Sequence, residues 1–218
     1  MSNPSRTNRG TVPIIGIVGG IGSGKSSVAR QLHETMPVVV VDADKAGHQV
    51  LTEQTTKQAL RACFGDEFFD EQGNINRPML GRLVFGTDPE SKTAKTDLES
   101  IVHPRIGEIL REQIAAAQAK PGITAVILDA AVLLETGWKD FCDTVVFIDV
   151  PEETRRNRVI LNRNWTAEEF ASREANQLPL ETKKQLSDHV IDNSTTVEFA
   201  AQQLRQVVAK IAESSAKS

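Results

Sequence analysis

The chain contains no tyrosine, only two tryptophans and only two cysteines among its 218 residues. Cys63 and Cys142 lie far apart in sequence, with no CxxC and no nearby histidine pair. That argues against a disulfide scaffold or a zinc framework and fits a reducing cytoplasm. Long apolar runs are missing as well: none approaches the roughly 18–20 residues that a bilayer-spanning helix needs, so no membrane association is expected. There is no excess of positive charge either, since the formal net charge is −4. Affinity for a phosphate backbone rests on clustered Lys and Arg, so this balance argues against a nucleic-acid partner. It leaves room for a local basic pocket that takes a small phosphorylated molecule. Internal repeats and low-complexity linkers are absent. The polar opening Met1–Thr11 is unlike a secretory signal and is expected to be a disordered leader; Ser214–Ser218 is expected to fray.

What remains is ordinary globular material, 39% apolar and 25% charged, and long enough to bury one core. Val12–Val18 is an apolar run of strand length that ends in a glycine cluster. Helical spacing follows over Ser26–Met36 (Val28, Ala29, Leu32), and Pro37 stops it. Four consecutive valines, Val38–Val41, predict a parallel strand buried on both faces. Similar runs recur at Ile123–Leu128, Thr144–Val150 and, more weakly, Val190–Ile191. Between them lie two apolar helical stripes. One comprises Ile106, Ile109, Leu110, Ile114 and Ala117; the other comprises Val197, Ala200, Ala201, Leu204, Val208 and Ile211. Strands alternating with helices predict an α/β fold, a five-stranded parallel sheet with helices on both faces. One domain is expected over 12–213, its core formed by 12–45 and 121–213. The mainly helical stretch 46–120 reads as a substrate-binding insertion between the second and third strands.

Gly19-Gly20-Ile21-Gly22-Ser23-Gly24-Lys25-Ser26 fits G-x-x-x-x-G-K-[ST] at every fixed position. The glycines permit backbone angles closed to other residues, so that amides turn inward onto phosphate oxygens. Lys25 is placed to reach the β- and γ-phosphates, and the Ser26 hydroxyl to ligate Mg²⁺. The helix that follows adds the positive end of its dipole. Average residue frequencies produce such a match by chance in about one chain in a hundred of this length. A strand before the loop and a helix after it make chance a poorer explanation still. The reading is a P-loop NTPase fold that binds ATP with Mg²⁺.

The loop does not separate kinases from GTPases or motors; the next strand does. It ends in Val41-Asp42-Ala43-Asp44, two carboxylates at the edge where open α/β sheets bind ligands. A carboxylate there can orient an acceptor hydroxyl and take its proton, or simply cap the next helix. Asp42 is read as holding geometry and metal-bound water, Asp44 as facing the acceptor. Asp44-Lys45-Ala46-Gly47 fits D-x-x-G, yet no guanine-reading N/T-K-x-D follows, which disfavours a GTPase. The third strand ends in Asp129 followed by alanines rather than in the Asp-Glu pair of a motor ATPase; Asp129 is a candidate for the metal's outer sphere. Arg155, Arg156, Arg158 and Arg163 cluster after the fourth strand. Their alternatives are a solvated helix face and a lid over about 155–180 that brings positive charge onto the transferring phosphate.

Taken together, these residues resemble the dephospho-CoA kinase family over nearly the whole chain, from Ile14 to about Leu204. The matching stretches are Ile17–Ser26, Val41–Asp44, Gly73–Arg77 with Leu80, Leu83, Val84 and Phe85, Leu98–Pro104 with its His-Pro pair, and Val190–Asn193. The resemblance implies ATP-dependent phosphorylation of the ribose 3′-hydroxyl of dephospho-CoA, with ATP and dephospho-CoA as the small-molecule partners. It makes 46–120 the CoA-binding insertion, and a monomer or small homo-oligomer is expected. Lys25, Asp44 and Arg163 take the catalytic roles. Gly20, Ile21, Gly22, Ser23, Gly24, Lys25, Ser26, Ser27, Arg158 and Asn193 go to ATP, and Ser26 to the metal. Asp42, Asp44, Arg77, His103 and Arg105 go to the acceptor, with His103 a structural residue of the His-Pro turn rather than a proton donor. Gln177 matches a lid glutamine, and Trp138 and Trp165 read as core or lid packing. Two departures stand out: Ala131 occupies a position where the family usually has Pro, and Arg158 and Arg163 are separated by four residues with Asn164 in place of an Asp. Another nucleotide or metabolite kinase of this architecture and a non-catalytic nucleotide switch remain the alternatives.

Overall fold

A computed structural model of the chain describes residues 12–86 and 88–215; the expected leader lies outside them. Five strands form one sheet: β1 (Ile14–Gly19), β2 (Val38–Asp42), β3 (Ala125–Asp129), β4 (Thr144–Asp149) and β5 (His189–Asp192). All pairings are parallel and the spatial order is β2-β3-β1-β4-β5. The chain leaves β1 toward one edge and later crosses back toward the other. The carboxyl ends of β1, β3 and β4 therefore border the crevice where such sheets take their ligands.

Side chains alternate across the strands, and each face has its own helical cover. On one face Val18, Val41, Val126, Leu128, Val145 and Phe147 pack with the helices α2 (Ala43–Val50) and α5 (Pro89–Gln118). On the other, Ile15, Ile17, Ile127, Val146 and Ile148 meet α1 (Lys25–Thr35) and α9 (Val197–Ser215). The expected stripe of α5 is buried, as are Ala200, Ala201, Leu204 and Val208 of α9. A separate apolar cluster of Leu80, Val84 and Ala94, with Phe64, Phe68 and Ile75 against it, joins α3 (Gln54–Phe64), α4 (Arg77–Val84) and the start of α5. After β4 come α6 (Glu152–Arg163), α7 (Ala167–Ala175) and α8 (Leu180–Gln185). Asn164 ends α6 in the left-handed conformation (φ 54°), and a Thr166–Glu169 capping box starts α7.

Three expectations need correction. The valine strand β2 lies at the sheet edge, so Val39 and Val40 are only partly buried. His103-Pro104 forms no turn; both residues lie inside α5, which spans 30 residues. Pro104 has no amide to give the Ser100 carbonyl, but Val102, Ile106, Ile109 and Leu110 bury a continuous stripe across it and carry the helix through. Finally, Ser214 and Ser215, expected to belong to a frayed tail, are the last residues of α9, and the rest of that tail, 216–218, lies outside the described residues.

Candidate active site

The phosphate loop leaves β1 at Gly19 and enters α1 at Lys25. Gly22 and Gly24 hold φ values of 78° and 82°, a region that side-chain-bearing residues rarely adopt. The Ser23 amide closes the turn onto the Gly20 carbonyl at 3.1 Å. Lys25 folds over the loop, its Nζ donating to the carbonyls of Gly19 (3.1 Å) and Gly20 (3.2 Å). This enclosure pushes the Lys25 ammonium down to about 8; the Asp129 carboxylate opposes the shift, and the Lys183 charge adds to it.

Behind the loop, the Ser26 hydroxyl donates to the Asp129 carboxylate. Asp129 ends β3 in register with Ile17 of β1 and Asp42 of β2. Burial raises its carboxyl above the usual range, the Ser26 hydrogen bond and the Lys25 charge pull it back, and Asp42 and Asp44 push it up again. Of the acidic pair, Asp42 caps α2 by accepting from the Lys45 amide at 3.0 Å. Asp44, in the first turn of α2, faces the cleft.

One cavity of about 700 Å³ gathers Ile21, Gly22, Gly24, Lys25, Ser26, Ser27, Asp44, Asp129, Arg158, Arg163, Gln177 and Asn193. Arg158 donates through Nη2 to the Asn193 carbonyl (2.9 Å), and the buried Asn193 side chain donates through Nδ2 to the Ser23 carbonyl (2.7 Å). Its Oδ1 is the one buried side-chain polar atom without a partner among the described residues. The Arg163 and Arg173 guanidinium groups lie 5.3 and 4.3 Å from the Trp165 ring. Gly20 and Ser23 belong to the loop without lining the cavity, and Asp42, Arg77, His103 and Arg105 are not brought to it either. Arg77 is exposed at the start of α4. His103 packs edge-on against Trp138 (5.6 Å) in a neighbouring groove, and burial lowers its pKa. Arg105 is committed to Glu53 (2.9 and 3.1 Å) and Glu108 (2.9 Å), tying α5 to the start of α3.

Several residues at the cleft escape the sequence reading. Lys95 of α5 and Arg173 of α7 line the cavity, as do Phe85 and Glu99, which lie in family-matching stretches but carry no site role there. Lys183, fully buried, anchors the segment after β3: its Nζ donates to the Ala131 carbonyl (2.9 Å), Glu135 (2.9 Å) and Gln177 (3.0 Å). Nothing local marks it, because its partners lie 6 to 52 residues away.

The fold implies a divalent cation beside the phosphates, and the donors fit one. No group of three or more His, Cys, Asp or Glu among the described residues could enclose a metal. The Ser26 hydroxyl and the Asp129 carboxylate stand together at the loop. Mg²⁺ commonly takes one or two protein oxygens and completes its octahedron with phosphate oxygens and water.

Comparison with known proteins agrees with this geometry. The family model for dephospho-CoA kinase matches residues 13–198. The dephospho-CoA kinase of Thermobifida fusca is 41% identical over 185 residues, covering 84% of this chain and 88% of the relative. A solved protein from Thermus thermophilus, TT1252, superposes with a TM-score of 0.74 at 32% identity, over 91% of this chain and 97% of that one. The solved dephospho-CoA kinase of Campylobacter jejuni shares the fold at a TM-score of 0.58 and 21% identity, over 92% and 98% of the two chains. With the phosphate loop, the acidic residue at the sheet edge and the arginine-bearing helices arranged around one cleft, the chain belongs to the dephospho-CoA kinase family.

Proposed function

We propose that this enzyme transfers the γ-phosphoryl group of ATP to the ribose 3′-hydroxyl of dephospho-CoA, giving coenzyme A and ADP, in the cytoplasm. The observation that carries the reading is that Asp44 faces the same cavity as Lys25 and Ser26. A carboxylate and a triphosphate cradle lining one cleft suit an acceptor hydroxyl and a donor phosphate. A passive nucleotide binder needs neither the carboxylate nor the arginines.

The loop amides and Lys25 hold the β- and γ-phosphates, while Arg158 and Asn193 flank the nucleotide. Ser26, with Asp129 behind it, would hold Mg²⁺, which when bound neutralises part of the triphosphate charge. Asp44 accepts the proton of the 3′-hydroxyl as its oxygen bonds to the γ-phosphorus. The bond from that phosphorus to the bridging oxygen breaks, and ADP leaves with the electron pair. Lys25 and Arg163 stabilise charge on the moving phosphoryl group. The insertion 46–120 binds the acceptor, and 155–180 closes as a lid that keeps water from competing. Positioning and charge supply the catalysis, because this chemistry asks for little covalent help.

The test is ADP release from MgATP against a panel of acceptors. Turnover with dephospho-CoA and background rates with shikimate, gluconate and nucleoside monophosphates are expected. The reverse pattern rejects the reading.

A further inference from the structure

The arginine run after β4 divides between two environments. Arg158 and Arg163 line the cavity, whereas Arg155 turns inward and is only 2% exposed. Its Nε donates to the Val150 carbonyl (3.2 Å). Its Nη1 donates to the Ile21 carbonyl at the crest of the phosphate loop (3.2 Å) and to the Glu174 carboxylate on α7. Phe170, one turn earlier on α7, lies 5.5 Å from the guanidinium. The loop is built against this residue. A Cβ on Gly20 would stand 2.6 Å from Nη1, and one on Gly22 would collide with the Arg155 carbonyl. A buried guanidinium persists only when it is paired and its donors are satisfied. Glu174 supplies the counter-charge, and the Val150 and Ile21 carbonyls accept from Nε and Nη1.

The same helix grips the other substrate's side of the cleft. Ser172 donates to the Phe85 carbonyl at the end of α4 (3.2 Å), and the Arg173 guanidinium lies 4.9 Å over the Phe85 ring. Lys95 of α5 donates to the Asn176 carbonyl that closes α7 (2.7 Å). Helix α7 is therefore fastened to α4 and α5 by three contacts and, through Glu174 and Arg155, to Ile21.

We propose that α7 is a strut coupling acceptor binding on α4 and α5 to the geometry of the phosphate loop, with Arg155 the positioning residue at its loop end. The proposal rests on the acceptor reading given above. Acceptor contacts on α4 and α5 fix α7; α7 fixes Glu174; Arg155 then holds the Ile21 carbonyl and with it the inward-facing amides of the loop. The ordering cost is met once, so the second substrate binds more tightly than the first, and the effect is reciprocal.

Calorimetry with a non-hydrolysable ATP analogue and Mg²⁺, with and without saturating dephospho-CoA, reads the coupling directly. In the wild-type enzyme dephospho-CoA is expected to tighten analogue binding by about 5- to 150-fold, the usual range for such coupling. The double variant Arg155→Met with Glu174→Leu replaces the ion pair by apolar residues of similar size, a change that buried pairs often tolerate. Its ratio is expected to fall to within about twofold of unity while its Tm stays near that of the wild type. Arg155→Lys, a single point charge that cannot hold Ile21, Val150 and Glu174 at once, is expected to give an intermediate ratio. Should the double variant not fold, Glu174→Gln, which keeps an acceptor but loses the charge, is expected to lower the ratio as well. A purely structural role would move Tm and leave the ratio alone. Unchanged analogue affinity in the wild type, or an undiminished ratio in a folded variant, overturns the proposal while the acceptor reading stands. No binding of dephospho-CoA to the wild type overturns that reading and the proposal with it.

Discussion

Substituting alanine for Gly22 and, separately, for Gly137 isolates what the phosphate loop demands of its glycines. The two residues share nearly the same positive φ, 78° and 75°, so each alanine bears a left-handed penalty of about 1–2 kcal/mol. Their surroundings differ. An added Cβ at Gly137 meets nothing within 4 Å, whereas at Gly22 it strikes the Arg155 carbonyl. That carbonyl is backbone in the first turn of α6 and cannot step aside as a flexible side chain would. Overpacking of this kind costs about 1–3 kcal/mol more. Gly22→Ala is therefore expected to lose about 2–5 kcal/mol, and Gly137→Ala only the first part of that. Urea denaturation monitored by circular dichroism gives the two losses, and nucleotide calorimetry should show weakened ATP binding for Gly22→Ala alone. Equal losses at the two sites, or unchanged ATP affinity in Gly22→Ala, would refute the claim that the loop is shaped against Arg155.

Other perturbations probe the charges. Asp44→Asn is expected to lower kcat by about 10²–10⁴-fold with ATP affinity kept, as measured by steady-state kinetics and calorimetry; near-wild-type turnover rejects Asp44 as the base. Because the folded protein holds Lys25 near 8 instead of 10.5, the unfolded chain binds more protons between those values. Stability of the nucleotide-free enzyme should then rise with pH across that window. Phosphate oxygens restore the charge, so ATP binding at pH 8 should take up about half a proton, seen as buffer-dependent heats and absent in Lys25→Arg. The Asp129 carboxyl has its folded pKa raised, so the folded state binds more protons and stability falls as pH climbs through the raised value. Asp129→Asn should accordingly raise Tm at pH 7 while suppressing turnover, with the Tm advantage shrinking in acid. A lower Tm at pH 7 contradicts the burial argument.

The legible parts of this molecule are those whose chemistry is local in sequence. Gly19–Ser26 carries its own turn geometry, phosphate donors and helix start within eight residues, so the loop, its flanking strand and its helix can all be read together. Asp42 and Asp44 are distinguishable as candidates from their place at a strand end, with Asp44 read as facing the acceptor, but that Asp42 is the one that caps depends on the turn of α2. Arg155 looks like its exposed neighbours because its burial depends on Glu174, 19 residues on, and Ile21, 134 residues back. Lys183 is hidden for the same reason. His103-Pro104 misleads as a turn because proline is a local stop signal, whereas the stripe from Val102 to Leu110 that overrides it is satisfied by the sheet. The edge position of β2 is equally invisible: four valines report strand propensity, and strand order is a property of the whole chain.

Proton-coupled ³¹P spectroscopy of the product from MgATP and dephospho-CoA tests the central claim most directly. The account predicts one new phosphate monoester coupled to the ribose H3′, appearing in step with ADP. ADP with inorganic phosphate and untouched dephospho-CoA, or a monoester on any other hydroxyl, contradicts it.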